Sequence, residues 1–377
     1  MIGSAWMGYK NYSSFPSSWA RQCQITLNNS LVSSAQSNFP WALIQNAFPS
    51  EFWTYIQAGG GDIRFTTDEA GTEPLYFEIE TINKAANTIA VWVNIPSLLT
   101  TTQTIWVWYG NSAAQVPVPN DHQFGSYNVW DSGYQGVFHL PNGTTLTAKD
   151  STSHGNNGTL GGSAGLPTAT TGQIDGGMNC AKGTYVHSGA ASAYSGAGYV
   201  SVPIANFSGS SGFSGYGTIE WWMYPNFSPT DGQTDPFWGQ IAGTTTPELD
   251  AQKFNDNKLY IGWNLSGSDD RVTVAANGIL SQSTWQHWAF VWNSGAKATL
   301  YVDGVLKGTA SNNTTTTNVN SDFLIGRQGV GQDFGLNGDI DEFRISSTNR
   351  PVNWFLTSYN NQSNLSTSGT PGTPQTP

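Results

Sequence analysis

Charge is scarce in this sequence. Asp, Glu, Lys and Arg together make up 10% of its 377 residues, against about 25% in an average globular protein. The 14 basic residues are scattered and the net charge is −11, so the clustered cations that bind nucleic acid phosphates or anionic lipid headgroups are missing. A run of about 18 apolar residues, the length needed to span a membrane, is also missing. We therefore expect no nucleic acid partner and no membrane insertion.

Cysteine and secretion features are scarce as well. Cys23 and Cys180 are the two cysteines, far apart in the sequence and one in each of the two domains proposed below. That spacing disfavours a disulfide framework, and we expect two buried free thiols. Residues 1–19 have neither the basic segment nor the apolar core of a secretory signal. We expect a protein that reaches the exterior without classical secretion, as virion proteins do when they assemble inside a cell.

Aromatic residues, in contrast, are abundant. They make up 13% of the chain and include 16 Trp, whereas disordered chains are poor in aromatics. The composition therefore predicts packed cores. Helix formers such as Lys, Glu and Arg are few, β-branched and aromatic residues are many, and 43 Gly are present. This combination favours an all-β, loop-rich fold.

Strand-like stretches alternate with turn residues along most of the chain. Ile89–Ile95 and Ile105–Tyr109 are almost continuously apolar, which is typical of strands covered on both faces, as in a β-sandwich. Helical periodicity is weak. The two best helix candidates are Pro49–Ile56 and Pro351–Tyr359, in which Pro351 suits the first helical position.

A break with two prolines and no strand pattern, at residues 115–128, marks the domain boundary. We predict an N-terminal β-sandwich over residues 1–120 and a larger C-terminal β-sandwich over residues 121–365. Residues 366–377 (STSGTPGTPQTP) are rich in Thr, Pro and Gly. They predict an extended linker or a frayed end without a core.

One charged set on the N-terminal strands predicts an ion pair. Asp62 and Arg64 are two residues apart and therefore share a strand face. Arg64 is expected to pair with Glu78 or Glu80 across neighbouring strands. A lone pair of this kind usually fixes strand register, so we interpret it as structural.

Six segments of the N-terminal part carry a family pattern through their order and spacing. They are Ile25–Ser30, Phe52–Trp53, Gly61–Thr66, Pro74–Glu80, Ile89–Pro96 and Ile105–Asn111. With these segments the chain resembles a small β-domain of unknown function, number 2341, found in bacterial, archaeal and phage surface proteins. The resemblance implies a surface-exposed accessory module that usually accompanies a lectin-like domain, and it supplies no catalytic residues.

Nine segments carry a second pattern over nearly the whole C-terminal part. They are Gly136–Leu140, Asp150–Thr159, Gly172–Met178, Tyr199–Pro203, Thr218–Pro225, Trp285–Trp292, Ala298–Leu306, Phe323–Arg327 and Gly338–Ser346. In order and content they resemble a laminin-G-like module of the concanavalin A-like lectin/glucanase superfamily, which implies a jelly-roll sandwich. Within them, Asp303-Gly304 predicts a type I′ hairpin turn, because this pair readily adopts positive φ.

The closing segment of this module bears on catalysis, because glucanases of the same superfamily carry Glu-x-Asp-x-x-Glu there. That motif places carboxylates on one face of a concave sheet, as retaining glycoside hydrolysis requires. Here the first two positions are Asp339 and Asp341, but the third falls on Arg344 or Ile345. We therefore predict that the protein is not an enzyme.

The superfamily resemblance also implies a calcium ion at the sandwich edge, held by carboxylates and backbone carbonyls. The candidate ligands are Asp150 and Asn156 in an Asp-rich turn, and Asp339 and Asp341 on the closing strand. The two segments are expected to be neighbours because the first and last strands of the module pair. The alternative is that Asp and Asn in such a turn only bond their own backbone.

Carbohydrate binding needs exposed aromatic rings beside amides and carboxylates, since pyranose faces stack and sugar hydroxyls hydrogen-bond. Phe237 and Trp238 in residues 231–240 offer this combination, and Trp263 with Asn264 offers it at a second rim. The alternative is that these aromatics cap the core or form a subunit contact.

Three functional hypotheses follow. The leading one is a non-catalytic structural and recognition protein on the exterior of a phage or virus particle, with cell-surface glycans or other virion proteins as partners. The second is a secreted or cell-surface lectin that binds carbohydrate, and the third is a glycoside hydrolase. Aromatic-rich strands with little charge and exposed edges also predict a homo-oligomer or a lattice contact.

Overall fold

The computed structural model of the chain describes residues 15–141, 146–181, 184–188, 191–203, 215–241, 248–265, 268–316, 321–329 and 334–377. Residues 1–14, with which the predicted first domain begins, lie outside the described residues. Nearly all the regular structure that is described is β-strand, which confirms the predicted all-β class. No helix in these ranges is long and apolar enough to cross a membrane.

The N-terminal domain is a sandwich of two antiparallel sheets. Its strands are β1 (Arg21–Leu27), β2 (Gln36–Ile44), β3 (Arg64–Thr66), β4 (Pro74–Leu75), β5 (Phe77–Asn83), β6 (Thr88–Leu98) and β7 (Gln103–Tyr109). One sheet has the order β1-β7-β3-β4 and the other β2-β6-β5. Strand β6 is buried from Ile89 to Ile95, as its apolar pattern predicts. Within the described part of this domain, the only α-helical turn is α1 (Phe52–Tyr55), which lies inside the predicted helix Pro49–Ile56 but is shorter.

The C-terminal domain contains most of the strands. They are β8 (Tyr134–Phe138), β9 (Thr159–Gly161), β10 (Thr168–Thr171), β11 (Gly176–Asn179), β12 (Thr184–Ser188), β13 (Ala191–Ser195), β14 (Tyr199–Val202), β15 (Tyr216–Pro225), β16 (Asp235–Ile241), β17 (Glu248–Lys253), β18 (Lys258–Leu265), β19 (Ser268–Asp269), β20 (Val272–Ala275), β21 (Gln286–Asn293), β22 (Thr299–Val302), β23 (Val305–Thr309), β24 (Phe323–Ile325), β25 (Phe334–Gly335) and β26 (Gly338–Ser346).

These strands form two large sheets. The inner sheet has the order β10-β11-β26-β15-β21-β22-β23, and β8 also pairs with β26. The outer sheet has the order β19-β18-β17-β16-β24-β14-β9, and β20 also pairs with β18. A small third sheet contains β12, β13 and β25. Trp221, Trp238, Trp263 and Trp288 lie in the core between the inner and outer sheets, which confirms the predicted C-terminal sandwich.

After β26 the chain forms α2 (Val352–Ser363), which starts one residue later than predicted and continues four residues beyond the predicted end at Tyr359. Pro351 is its N-cap rather than its first residue. The side chain of Asn361 accepts a hydrogen bond from the Ala42 backbone N–H (2.8 Å) and donates to the Ala42 carbonyl (3.1 Å). α2 therefore satisfies the outer edge of β2 and attaches the C-terminal domain to the N-terminal one.

The prediction that residues 366–377 are a linker or a frayed end is wrong. Gly369–Pro371 form β27, which pairs with β1 and extends the first N-terminal sheet. Gln375 and Gln22 exchange two backbone hydrogen bonds of 2.9 Å each, and Ser368 accepts one from the Trp41 indole. An edge strand needs backbone hydrogen bonds rather than apolar side chains, and prolines are tolerated there. A polar Thr/Pro sequence can therefore complete the sheet.

The hairpin between β22 and β23 has the predicted geometry. Asp303 and Gly304 have φ of 53° and 72°, and Val302 pairs with Val305 across the turn. These values confirm a turn of the type I′ class. The turn also approaches α2 closely, since a Cβ on Gly304 would stand 2.8 Å from the Leu356 Cα. Glycine is needed here for both reasons.

The two domains share one apolar core. Val291 of the inner sheet and Phe355 of α2 belong to the same cluster of buried side chains as Trp41 of the N-terminal domain. The rings of Phe39 and Trp354 lie 4.8 Å apart across this contact. The two cysteines are free and buried, as predicted.

Removal of residues 366–377 tests the role of the C-terminal strand. The truncated chain loses several backbone hydrogen bonds, each contributing about 0.5–1.5 kcal/mol, so we expect a loss of about 2–5 kcal/mol in the free energy of unfolding, measured by urea denaturation. Removal of Thr376 and Pro377 alone is the control and should change little. An unchanged midpoint for the longer truncation would show that β27 contributes nothing to stability.

Candidate functional site

Strand β26 is the strand whose sequence resembles the catalytic strand of glucanases. It contains a β-bulge at Glu342. Glu220 pairs with Arg344 and Trp222 with Asp341, so two residues of β26 lie opposite the single residue between them. Glu342 itself has φ of 50°, in the left-handed region that non-glycine residues rarely adopt. A bulge re-aims the side chains beside it. As a result, the side chains of Glu342 and Arg344 meet on the same side of the inner sheet.

That side of the inner sheet is covered, not open. α2 lies over β15 and β22, where the Trp222 indole donates to Gln362 Oε1 (2.6 Å) and the Tyr301 ring lies 5.2 Å from Phe355. The N-terminal domain covers β26, where the Arg344 guanidinium lies 4.5 Å from the Trp92 ring centroid.

A buried group of charged side chains lies where these parts meet. We call Glu78, Glu80, His139, Glu342 and Arg344 the interface cluster. Glu78 and Glu80 come from β5 of the N-terminal domain, His139 follows β8, and the other two come from β26. Their side chains are at most 12% exposed. Two domains therefore contribute to one polar site within an otherwise apolar contact.

His139 lies at the centre of the interface cluster. Its Nδ1 lies 2.6 Å from Glu342 Oε1 and 3.7 Å from Glu80 Oε2, and its Nε2 lies 3.4 Å from Glu78 Oε2. The ring stacks on Trp92 at 5.7 Å between centroids. Each nitrogen of the imidazole therefore faces a carboxylate.

The carboxylates have further donors around them. The Trp92 indole donates to Glu80 Oε2 (2.9 Å), and Arg344 donates to Glu342 Oε2 (2.6 Å). The Trp130 indole and the Ser151 hydroxyl each donate to Glu78 at 2.7 Å. Indole and hydroxyl donors cannot change charge at ordinary pH, so they hold these carboxylates in fixed positions.

The charges of the cluster follow from burial and proximity. Burial lowers the pKa of His139, but the surrounding carboxylates, Glu342 foremost, outweigh it and raise that pKa well above its usual value. Burial raises the pKa of Glu342, but the His139 and Arg344 cations outweigh it, so that pKa is lowered. Burial dominates at Glu80 and Asp341 and raises both pKa values well above the usual range. Burial and proximity therefore favour a charged His139 beside an ionised Glu342, and they disfavour the ionised forms of Glu80 and Asp341.

Sequence reasoning missed this cluster. It expected Glu78 or Glu80 to pair with Arg64, whose guanidinium instead donates to backbone carbonyls of Gly61 and Ile63 within its own segment. Both glutamates face His139 of the other domain. The only sequence signal was the presence of carboxylates on a largely apolar strand, and nothing in their spacing pointed to a histidine about 60 residues further along the chain.

The prediction that three aromatic residues bind sugar is wrong. Phe237, Trp238 and Trp263 are 0% exposed and belong to the sandwich core, so none can stack on a sugar ring. The register of β16 shifts between Pro236 and Trp238, and a bulge of this kind lets two consecutive residues face the same side. The pattern of alternation therefore failed at this strand.

The fourth residue of the predicted sugar site, Asn264, is half-buried on β18, next to Trp263. Its side-chain amide donates to Glu248 Oε2 at 3.1 Å. That bond occupies the amide between two strands of the outer sheet. Asn264 therefore has no aromatic partner of the kind that was predicted for it, since Trp263 points into the core.

The predicted calcium ligands are not brought together as one site. Asp150 Oδ1 accepts the backbone N–H groups of Val137 and Thr152, and its Oδ2 accepts that of Asn156 and the Thr152 hydroxyl. The Asn156 amide in turn donates to the Gln135 carbonyl (2.6 Å). This turn satisfies its own backbone, which was the alternative interpretation.

The other two predicted ligands have local partners as well. Asp339 accepts from the Asn179 amide (2.5 Å) and Asp341 Oδ2 from the Ile174 backbone N–H (2.8 Å). The first and last strands of the module do pair, since Phe138 lies opposite Phe343. In the described part of the chain, the group whose ligand atoms are close enough to share a metal ion is Glu80, His139 and Glu342, all within 4.8 Å of one another. Calcium binding stays a prediction.

An open pocket, the rim pocket, lies at one end of the C-terminal sandwich. It encloses about 290 Å³ between the loop that joins β15 to β16 and the loops that precede β21 and β26. Seven of its eight lining residues are of polar or charged type, namely Asn226, Ser228, Asp231, Gln233, Asp235, Gln282 and Asn337.

A buried lysine fixes the acidic side of the rim pocket. Lys253 Nζ donates to Asp231 Oδ1 and to the Gln233 carbonyl, both at 2.6 Å, and lies 5.4 Å from the centroid of the Phe227 ring. The carboxylate of Asp235 lies 3.5 Å from the same ammonium. Burial raises the pKa of Asp235 to about 7 despite that cation. The pocket therefore has a rigid, charge-balanced base beneath amides and hydroxyls.

Comparison with known families agrees with the sequence resemblances. Residues 194–353 match the family model of the concanavalin A-like lectin/glucanases superfamily, laminin G type. Residues 59–127 match the domain of unknown function 2341. Both matches occur in the order that the sequence predicts, which confirms a laminin-G-like module preceded by a β-domain of that second type. No curated protein shows significant sequence similarity to the chain.

Several solved structures resemble part of the chain. Domain 4 of the extracellular arabinanase AbnA from Geobacillus stearothermophilus, in complex with arabinotriose, is 19% identical, with a TM-score of 0.41 over 60% of this chain and 98% of that one. The binding domain of botulinum neurotoxin serotype D is 12% identical, with a TM-score of 0.43 over 63% and 53% of the two chains. The chain therefore spans about half of that binding domain, and at these scores the likenesses carry no argument about function.

Substitution of Arg344 by Met tests the interface cluster. The change removes one of the two cationic partners of the buried Glu342 carboxylate, so we expect a loss of about 3–5 kcal/mol in the free energy of unfolding, measured by urea denaturation. Adding Glu342→Gln should recover part of that loss, because it removes the buried carboxylate that has lost one of its two cationic partners. Lys258→Met, which breaks an exposed pair with Asp256, is the matched control and should leave stability nearly unchanged. An equally small effect of Arg344→Met would contradict a role of the cluster in joining the domains.

Proposed function

We propose that this chain, a laminin-G-like module behind a β-domain of the 2341 type, is a non-catalytic recognition protein of an exterior surface that binds carbohydrate in its rim pocket. The observation that carries the proposal is the lining of that pocket, which contains several amide residues and a serine beside a carboxylate that Lys253 holds in place. Sugar hydroxyls are paired donors and acceptors, and side-chain amides and carboxylates match them.

The proposal that the protein is not catalytic depends on the burial and the residues of β26 in the inner sheet. The strand that corresponds to a glucanase catalytic strand lies beneath α2 and the N-terminal domain, where Asp341 is 0% exposed and Arg344 occupies the place of the third carboxylate. A polysaccharide cannot reach a buried carboxylate, and a guanidinium cannot act as the acid that protonates a leaving group. Both features support a binding function rather than hydrolysis.

The rim pocket supports a small glycan unit as the ligand. A volume of about 290 Å³ is at the lower end of the range for small-molecule sites, which suits one or two sugar rings. Asn226 and Gln282 are exposed on its wall. Tyr224 and Trp285, two and three residues from them along the chain, are partly exposed and lie 5.6 Å apart, so they offer an aromatic surface for a sugar face.

A glycan array with the full chain, followed by calorimetry on the best ligand, tests this assignment. The double change Asn226→Ala/Gln282→Ala should weaken binding at least about tenfold, because two hydrogen-bonding amides are removed. Both residues are on the surface, so thermal stability should not change. Gln123→Ala, an exposed glutamine of the domain linker, is the matched control.

Three outcomes would contradict the assignment. A blank array would overturn carbohydrate binding, and equal affinity of the double variant would overturn the rim pocket as its site. Release of reducing sugar from any bound glycan, abolished by Asp341→Asn together with Glu342→Gln, would overturn the non-catalytic part and favour the hydrolase.

The location on a phage or virus particle stays a prediction from the sequence, as does assembly into an oligomer or lattice. Mass spectrometry of purified particles from the source of this sequence should detect the chain in stoichiometric amounts. Its absence from particles together with its presence on cell surfaces would favour the secreted lectin instead.

A further inference from the structure

The interface cluster and the adjacent Asp341 contain more carboxyl groups than cationic side chains. Four carboxyl groups, those of Glu78, Glu80, Asp341 and Glu342, lie close to two cationic side chains, His139 and Arg344. Buried charges are stable when each has a partner of opposite sign. A bound cation would stabilise the ionised forms of Glu80 and Asp341, which burial and the neighbouring carboxylates otherwise disfavour.

Two buried carboxylate oxygens in this region lack a partner. Glu80 Oε1 and Asp341 Oδ1 accept no hydrogen bond from the described residues, although their side chains are 1% and 0% exposed. Buried polar atoms are almost always satisfied, so each exception needs an explanation. Glu80 Oε1 belongs to the carboxylate whose other oxygen lies 3.7 Å from His139 Nδ1. An unsatisfied oxygen is thus part of the group that surrounds the imidazole.

The donor atoms have the separations that a small cation needs. Zinc bonds to nitrogen and oxygen at about 2.0–2.1 Å, so adjacent ligands of a tetrahedral site lie about 3.3 Å apart. His139 Nδ1 and Glu80 Oε2 are 3.7 Å apart, close to that value. His139 Nδ1 and Glu342 Oε1 are 2.6 Å apart, the length of their hydrogen bond. Replacing the proton between them by an ion requires these two atoms to separate by about 0.7 Å.

The other nitrogen of His139 has the surroundings of a metal-binding histidine. Nε2 faces Glu78 Oε2 at 3.4 Å, and Glu78 is itself held by Trp130 and Ser151. Histidines that bind metals commonly donate their second N–H to a carboxylate, which selects the tautomer and orients the ring. Here that arrangement leaves Nδ1 as the atom directed at Glu80 and Glu342.

We propose that His139 Nδ1, Glu80 and Glu342 bind one zinc ion, which joins the N-terminal domain to the laminin-G-like module. One imidazole with carboxylates suits zinc, whereas calcium and magnesium prefer sites made of oxygen alone. Glu80 comes from one domain and the other two ligands from the other, so the ion links the two. Because the ligands are buried, the ion is structural and has no access to a substrate.

The test uses the full chain, purified without a metal-affinity tag. Elemental analysis by plasma mass spectrometry should find one zinc per chain after gel filtration. Dialysis against a zinc chelator should remove it and lower the melting temperature by about 5 °C or more, and added zinc should restore it. Calcium added at the same concentration should not.

Three variants identify the ligands. His139→Gln and Glu80→Gln should each lose the bound zinc and the zinc-dependent rise in melting temperature. His122→Gln, a change of an exposed histidine in the domain linker, is the matched control and should keep both. Should His139→Gln fail to fold, Glu80→Gln together with elemental analysis of the unsubstituted chain still decides the question.

The proposal is overturned by an unsubstituted chain that carries no zinc and does not respond to it. It is equally overturned by zinc that is retained in both ligand variants, or by a melting temperature that responds to calcium and not to zinc.

Discussion

The guanidinium of Arg344 lies against the Trp92 ring of the other domain while it donates to Glu342, so a cation of the inner sheet is enclosed by the N-terminal domain. A sheet of a β-sandwich needs only one buried face, whereas the inner sheet is covered on both. Its second face must therefore match every charge with a partner, because an unpaired buried charge is costly. The bulge at Glu342, the indole donors and the central His139 provide many of these partners, although Glu80 Oε1 and Asp341 Oδ1 accept no hydrogen bond from the described residues.

Covering that face also determines the path of the chain. α2 lies between the inner sheet and β2, and from its end the chain reaches the outer edge of β1. Ile25 is thereby paired with Pro371, close to the opposite end of the sequence. A pairing of such long range closes a loop of almost the whole chain, at an entropic cost that a short edge strand alone cannot offset. The shared core of the two domains supplies the remainder, so the N-terminal sheet is completed only within the assembled chain.

Alternation and turn chemistry were sufficient to predict the strands, as the buried β6 and the turn at Asp303 show. Prediction failed where a feature is not written in local pattern. A bulge turns both Phe237 and Trp238 into the core, and alternation cannot reveal a bulge. The interface cluster contains residues of two domains, so no spacing of residues along the chain predicts it. The prediction for residues 366–377 was wrong because an edge strand depends on backbone hydrogen bonds, which polar residues make as well as apolar ones.

The covered inner sheet also explains where recognition can occur. In an open jelly roll the side chains of β26 would line a groove, and Asp339 with Asp341 would invite a catalytic interpretation. Here Asp341 is sealed beneath the N-terminal domain, and its strand serves the contact between domains. Loops at the ends of a sandwich stay accessible whatever covers its faces. The polar groups of the rim pocket lie on such loops. The proposed ligand therefore binds there and not on β26, the strand that corresponds to the catalytic strand of glucanases.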